Sequence, residues 1–246
     1  MSINTILSYS PNFNSFKRKS KEIKFIIFHY TGMKKESAAI NRLTNIQSEV
    51  GCHYLIKNNG EIITMVPDLY IAWHAGRSSW KNFKSLNKNS IGIEISNPGY
   101  QFGYKKFSKK QINSLIHLSK FLIKKYKIDK KKILGHSDIA PMRKKDPGEK
   151  FPWEYLAKNN IGIWHNLDKK KLSKLRKKNC DIMMKKFFLN NLYKIGYSKF
   201  LKKNDKLSSL SLLIKSFQRR HRKELINGVI DQECLLISKE LIKSKF

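Results

Sequence analysis

Ser90-Ile-Gly-Ile-Glu-Ile-Ser96 alternates without a break, with Ile91, Ile93 and Ile95 on one face of an extended chain and Gly92, Glu94 and Ser96 on the other. Such a strand needs an apolar layer on one side and, on the other, surroundings that accept a carboxylate. Similar runs recur. Phe25-Ile-Ile-Phe-His-Tyr ends before a turn signal, His53-Tyr-Leu-Ile and Glu61-Ile-Ile-Thr-Met-Val flank the hairpin-like Lys57-Asn-Asn-Gly60, and Ile133-Leu134 is a shorter run. Between them apolar residues return at helical spacing: Ala39, Leu43, Ile46 and Val50 within residues 36–50, then Ile112, Leu115, Ile116, Leu122, Ile123 and Tyr126 within 107–128, where Ser108 is placed as N-cap. Pro152-Trp-Glu-Tyr reads as a further short helix. Strands interleaved with helices define an α/β class, with a mixed central sheet flanked by helices.

The run at 133–134 leads into Gly135-His-Ser-Asp-Ile-Ala-Pro-Met-Arg-Lys-Lys-Asp-Pro-Gly148, which sets His136, Lys144 and Asp146 on one loop-like stretch. Imidazole and carboxylate are good zinc donors, and a catalytic zinc takes three protein ligands while leaving a fourth position for water. His29 closes another β-prone run and supplies the third donor, so His29, His136 and Asp146 are the candidate ligands. Their spacing is neither that of a zinc finger nor that of the two-histidine helix of many metalloproteases. Residues 67–89 have little periodicity and contain Ala72-Trp-His-Ala-Gly76, which reads as a cleft-lining loop.

Composition sets the limits of the remaining chain. A hydrophobic content of 40% in 246 residues supports a real core. Residues 1–22 are polar and basic and read as an arm, residues 23–165 as the catalytic α/β domain, and residues 166–246 as a small three-helix domain. Its helices are marked by Ile182, Met183, Phe187, Phe188, Leu192 and Ile195, by Leu212, Leu213 and Phe217, and by a start near Asp231. Cys52, Cys180 and Cys234 are far apart, as expected of reduced, buried thiols rather than of a disulfide framework. The net charge of +33 is spread along the whole chain and is mostly lysine. It fits either a solvated basic surface or attraction to an anionic polymer such as cell wall, and no nucleic-acid fold accompanies it. No window is apolar enough to cross a bilayer, and the N-terminus lacks a secretory pattern. The expected location is cytoplasmic, or periplasmic by a route the sequence does not display; oligomeric state is left open.

Five motifs in order, Phe28-His-Tyr-Thr, Cys52-His-Tyr-Leu-Ile, Trp73-His-Ala-Gly, Ser90-Ile-Gly-Ile-Glu-Ile and Gly135-His-Ser-Asp-Ile-Ala-Pro with Arg143-Lys-Lys-Asp-Pro-Gly, resemble those of the zinc-dependent N-acetylmuramoyl-L-alanine amidases, whose fold is shared with peptidoglycan recognition proteins. The resemblance spans residues 23–157 and is closest, over 137–153, to the branch that cleaves murein and anhydromuropeptides. It implies a zinc cofactor on His29, His136 and Asp146, Glu94 as general base and Lys144 as oxyanion stabiliser. It also places His53 and His74 along the cleft, as substrate contacts or as support behind the ligands. Cys52 stands where some relatives carry a catalytically helpful tyrosine, which leaves the base role to Glu94 alone. His117, His165 and His221 fall outside every motif and are expected at the surface. Leu192-Tyr-Lys-Ile-Gly-Tyr, Phe217-Gln-Arg-Arg-His-Arg and Asn227-Gly-Val-Ile-Asp resemble a three-helix peptidoglycan-binding module. The implied activity is hydrolysis of the amide between N-acetylmuramic or anhydromuramic acid and L-alanine, in peptidoglycan or muropeptides; the alternative is a recognition protein that binds these without cutting.

Overall fold

The structure, a computed structural model, describes residues 3–198 and 207–243. In chain order its elements are β1 (Ile6–Leu7), β2 (Phe13–Asn14), β3 (Phe25–Tyr30), α1 (Glu36–Thr44), β4 (Tyr54–Ile56), β5 (Ile62–Thr64), β6 (Ile71–Ala72), β7 (Ser79–Trp80), β8 (Phe83–Lys84), β9 (Ser90–Ile95), α2 (Lys109–Tyr126), β10 (Ile133–Gly135), α3 (His136–Ile139), α4 (Trp153–Lys158), α5 (Lys169–Leu175), α6 (Ile182–Ile195), α7 (Leu207–His221) and α8 (Gln232–Lys243). The main sheet has the order β1-β5-β4-β9-β3-β10. Only the β4–β5 hairpin is antiparallel within it, and the other four pairings are parallel. It is therefore a mixed sheet with helices on both faces, as expected.

Strand alternation sorts the two faces. Ile26, Phe28, Ile91, Ile93 and Ile95 pack beneath α2 and α4, against Leu115, Leu118, Leu122 and Trp153. The capping box that starts α2 is complete: Ser108 Oγ accepts from Gln111 N at 3.1 Å, and Gln111 Oε1 accepts from Ser108 N at 3.0 Å. On the opposite face Phe25, Ile27 and Leu134 share one core with Phe188, Leu192, Phe217 and Leu241 from α6, α7 and α8. The apolar core is thus continuous across residue 166, where composition had marked a boundary.

Several local expectations are revised. The polar N-terminal segment is tied to the rest of the fold where it is described: β1 pairs with β5 and β2 with β6. Arg18 is buried because its guanidinium donates to the carbonyls of Asp68 (2.7 Å) and Ser90 (2.8 Å), which a polar reading of the segment does not reveal. The helix over 36–50 stops at Thr44: Ser10 Oγ (2.5 Å) and Asn12 Nδ2 (3.3 Å) take the Leu43 carbonyl that Gln47 N would need for the next turn. Among the described residues the C-terminal part contains four helices, α5 being the addition. His165 and His221 are buried, stacked around Trp164, while His117 is exposed as expected. The three cysteines are free and buried. No helix among the described residues is long and apolar enough to cross a membrane.

Candidate active site

Parallel strands β3, β9 and β10 end on the same side of the sheet, the usual place for chemistry in such a fold. His29 and Glu94, each next to last in its strand, are register partners and lie on the face away from α2. The alternation that buries Ile93 and Ile95 therefore presents Glu94 beside His29. His136 follows β10 directly, in a one-turn helix where the sequence reading had a loop. The following loop returns Asp146, whose carbonyl accepts from Ser137 N at 2.8 Å.

Three donor atoms meet there. His29 Nδ1 lies 2.9 Å from His136 Nδ1 and 3.1 Å from Asp146 Oδ2, and His136 Nδ1 lies 3.0 Å from the same oxygen. Tetrahedral zinc with bonds of about 2.0–2.1 Å spaces its donors by about 3.3 Å, so a small spreading of this triangle suits the ion. The group is able to hold a metal ion.

Hydrogen bonding fixes which lone pairs face inward. Ser90 Oγ donates to Leu86 O (2.6 Å) and so accepts from His74 Nε2 (3.1 Å). His74 Nδ1 then accepts from His29 Nε2 (3.0 Å), which leaves His29 Nδ1 unprotonated toward Asp146. His136 Nε2 donates to Ala75 O (3.1 Å), leaving its Nδ1 bare as well. Two bare imidazole nitrogens and a carboxylate aimed at one point repel one another until a cation sits between them. The chemistry of the donor set fits a divalent metal.

Charge states follow from burial. Burial is the largest of the causes that lower His29 to a pKa of about 4. Glu94 goes the other way: burial, then the charge of Asp146, push it up to about 8. Its Oε2 is buried without a hydrogen-bond partner. Lys144 is half-buried on the wall of the same cleft, of ≈ 650 Å³, and its charge bears on both His29 and Glu94.

The remaining candidates separate. His74 touches the cleft but spends both ring nitrogens on His29 and Ser90, so it supports a ligand. His53 is fully buried and does not line the cleft: it accepts from Gly92 N (3.0 Å), donates to Tyr70 O (3.1 Å) and packs edge-on against His74, with ring centroids 5.6 Å apart. Sequence reasoning missed Ser90 and Arg143. Arg143 Nη2 donates to Ala75 O and to Arg77 O (2.9 Å) and lies 3.3 Å from His136 Nε2. Its place beside Lys144 was the available signal; for Ser90 there was none.

Residues 19–149 match the family described as N-acetylmuramoyl-L-alanine amidase. The chain is 33% identical over 233 residues to the N-acetylmuramoyl-L-alanine amidase AmiD of Escherichia coli, covering 90% of this chain and 83% of that protein. It is 32% identical over 167 residues to the 1,6-anhydro-N-acetylmuramyl-L-alanine amidase AmpD of Haemophilus influenzae, covering 60% of this chain and 88% of that protein. The solved complex of E. coli AmiD with anhydro-N-acetylmuramic acid-L-Ala-D-γ-Glu-L-Lys aligns with a TM-score of 0.79 at 33% identity, over 91% of this chain and 90% of that one. AmpDh3 of Pseudomonas aeruginosa in complex with anhydromuramic pentapeptide aligns with a TM-score of 0.78 at 29% identity, over 94% and 96%. With the family match covering more than half of its length and AmiD followed across most of it, the chain belongs to the N-acetylmuramoyl-L-alanine amidase family.

Proposed function

We propose that this amidase hydrolyses the bond between the lactyl carbonyl of N-acetylmuramic or anhydromuramic acid and the L-alanine of the stem peptide, in peptidoglycan or in muropeptides, using zinc held by His29, His136 and Asp146. The observation that carries the reading is the convergence of two bare Nδ1 atoms and Asp146 Oδ2 beside the unpartnered Glu94. Zinc bound there would supply an acidified water and polarise the scissile carbonyl. Glu94 takes the proton of the attacking water and returns it to the leaving amine of L-alanine, a task suited to a carboxyl whose pKa is near neutrality. Lys144 places a fixed cation where the carbonyl oxygen gains charge. His74 and Ser90 keep His29 in the tautomer that offers Nδ1. Residues 23–165 form the hydrolytic part, and residues 166–246 a peptidoglycan-binding-like part. The substrate-bound AmiD and AmpDh3 structures support the substrate class.

Chelation tests the reading. Purified protein stripped with a strong chelator should lose release of L-Ala-led peptides from anhydromuropeptide and regain it on adding stoichiometric zinc. Muropeptide binding with no product at saturating zinc would favour the recognition protein instead.

A further inference from the structure

The turn that carries His136 is held mostly from the far end of the chain. Gly135 N donates to Asp138 Oδ2 at 2.8 Å, closing the step from β10 into α3 around the ligand. Asp138 is almost fully buried. Arg220 of α7 places Nη1 on that same Oδ2, while its Nη2 donates to Ile133 O at 3.1 Å. One guanidinium therefore brackets the turn from the first residue of β10 to the third of α3, with its Cζ 4.0 Å from the Trp153 ring centroid. Tyr197 Oη donates to Asp138 Oδ1 at 2.9 Å, and Ser216 Oγ donates to Ser137 O at 2.6 Å.

We infer that Arg220, Tyr197 and Ser216 are positioning residues for the metal centre, and that the C-terminal helices are part of the apparatus that aims His136. A buried ion pair such as Asp138–Arg220 contributes little net stability over an apolar pair of the same shape. What it does supply here is direction. With Gly135, Ser137 and Asp138 all tied, the backbone of His136 has one place to stand, and Ser137 N passes the constraint to Asp146 through its carbonyl. Both ligands contributed by residues 136–146 are thereby referred to helix α7. This inference rests on the zinc reading above.

The test uses the full chain with three variants: Arg220→Met, Tyr197→Phe and the paired Asp138→Asn/Arg220→Met, which leaves no unpaired charge buried. Zinc affinity is measured by competition with a chromophoric chelator, and Tm on the metal-free protein. Arg220→Met should weaken zinc binding roughly tenfold, in the range seen when support behind a metal ligand is lost. Tyr197→Phe removes a single oxygen, stays folded and should weaken binding a few-fold. In the paired variant Tm should return close to that of the unaltered protein while zinc affinity stays low, a split that a purely structural role does not produce. Folded variants that bind zinc as tightly as the unaltered chain would overturn the positioning role alone. An unaltered chain without zinc affinity would overturn the metal reading, and this inference with it.

Discussion

Glu94 is a carboxyl surrounded by protein that does not satisfy it. A structural carboxylate at this depth would have two or three donors, whereas Oε2 has none and burial lifts the pKa to about 8. That is the profile of a group whose partner arrives with the reaction. Glu94→Gln keeps the shape and removes the base; kcat should fall about 10²–10⁴-fold, with KM and zinc content unchanged, as steady-state kinetics and metal analysis will establish. Equal turnover by the variant would exclude Glu94 from proton transfer. At this scale the sequence was informative where chemistry is local. Glu94 stood out as the odd residue on an isoleucine strand, and His29, His136 and Asp146 as donors at strand ends. His53 and His74 looked alike because both sit in short histidine motifs; only the fold shows His74 against a ligand and His53 buried one step further back, its ring edge-on to His74. The Ser90 link depends on a hydrogen bond to Leu86 O, which no pattern of residues encodes.

Among the elements, β9 has the least tolerance for change. Glycine inside a strand ordinarily weakens it, yet at Gly92 a Cβ would fall 2.3 Å from His74 Cγ. The missing side chain is what lets the imidazole lie on the strand and reach His29. Gly92→Ala should therefore displace His74 and weaken zinc binding about tenfold, read by chelator competition. Ser90→Ala, which leaves the ring in place and frees only its tautomer, should produce a smaller loss. An alanine variant with unaltered zinc affinity would show that His74 does not support His29. Elements with their own signals were readable in advance: α2 through its apolar stripe and the Ser108–Gln111 box, β4 and β5 through their turn. The end of α1 was not, because Ser10 and Asn12, more than thirty residues earlier, take the Leu43 carbonyl that Gln47 N would need to continue it.

On the scale of the molecule, buried neutral histidines govern the response to acid. Burial is the largest cause of the lowered values of His29, to about 4, and His53, to about 3, and it also holds His74 and His221 well below the ordinary value. Their folded values lie below the unfolded value of about 6.5, so between the two the unfolded chain binds protons that the folded chain refuses. Stability then falls as pH drops, starting near 6.5. His29 and His53 should each cost about 2 kcal/mol by pH 5. Denaturant titrations of chelator-treated protein at pH 7.5, 6 and 5 should show this decline, and a flat profile would mean that the rings are not held neutral by the fold. The packing between the two parts was the least legible feature of the sequence, since no pattern along the chain announces that Phe25, Ile27 and Leu134 share an apolar core with α6–α8.

The apolar core that joins Phe25, Ile27 and Leu134 to Phe188, Phe217 and Leu241 has a bearing on reach. Two modules on a flexible tether sample many separations, so a ligand held by one is offered to the other at an effective concentration set by tether length. Here the described residues of the two parts share one core. The separation between the surface of α6–α8 and Glu94 is therefore set by side-chain packing, and it is the same in every copy of the folded molecule.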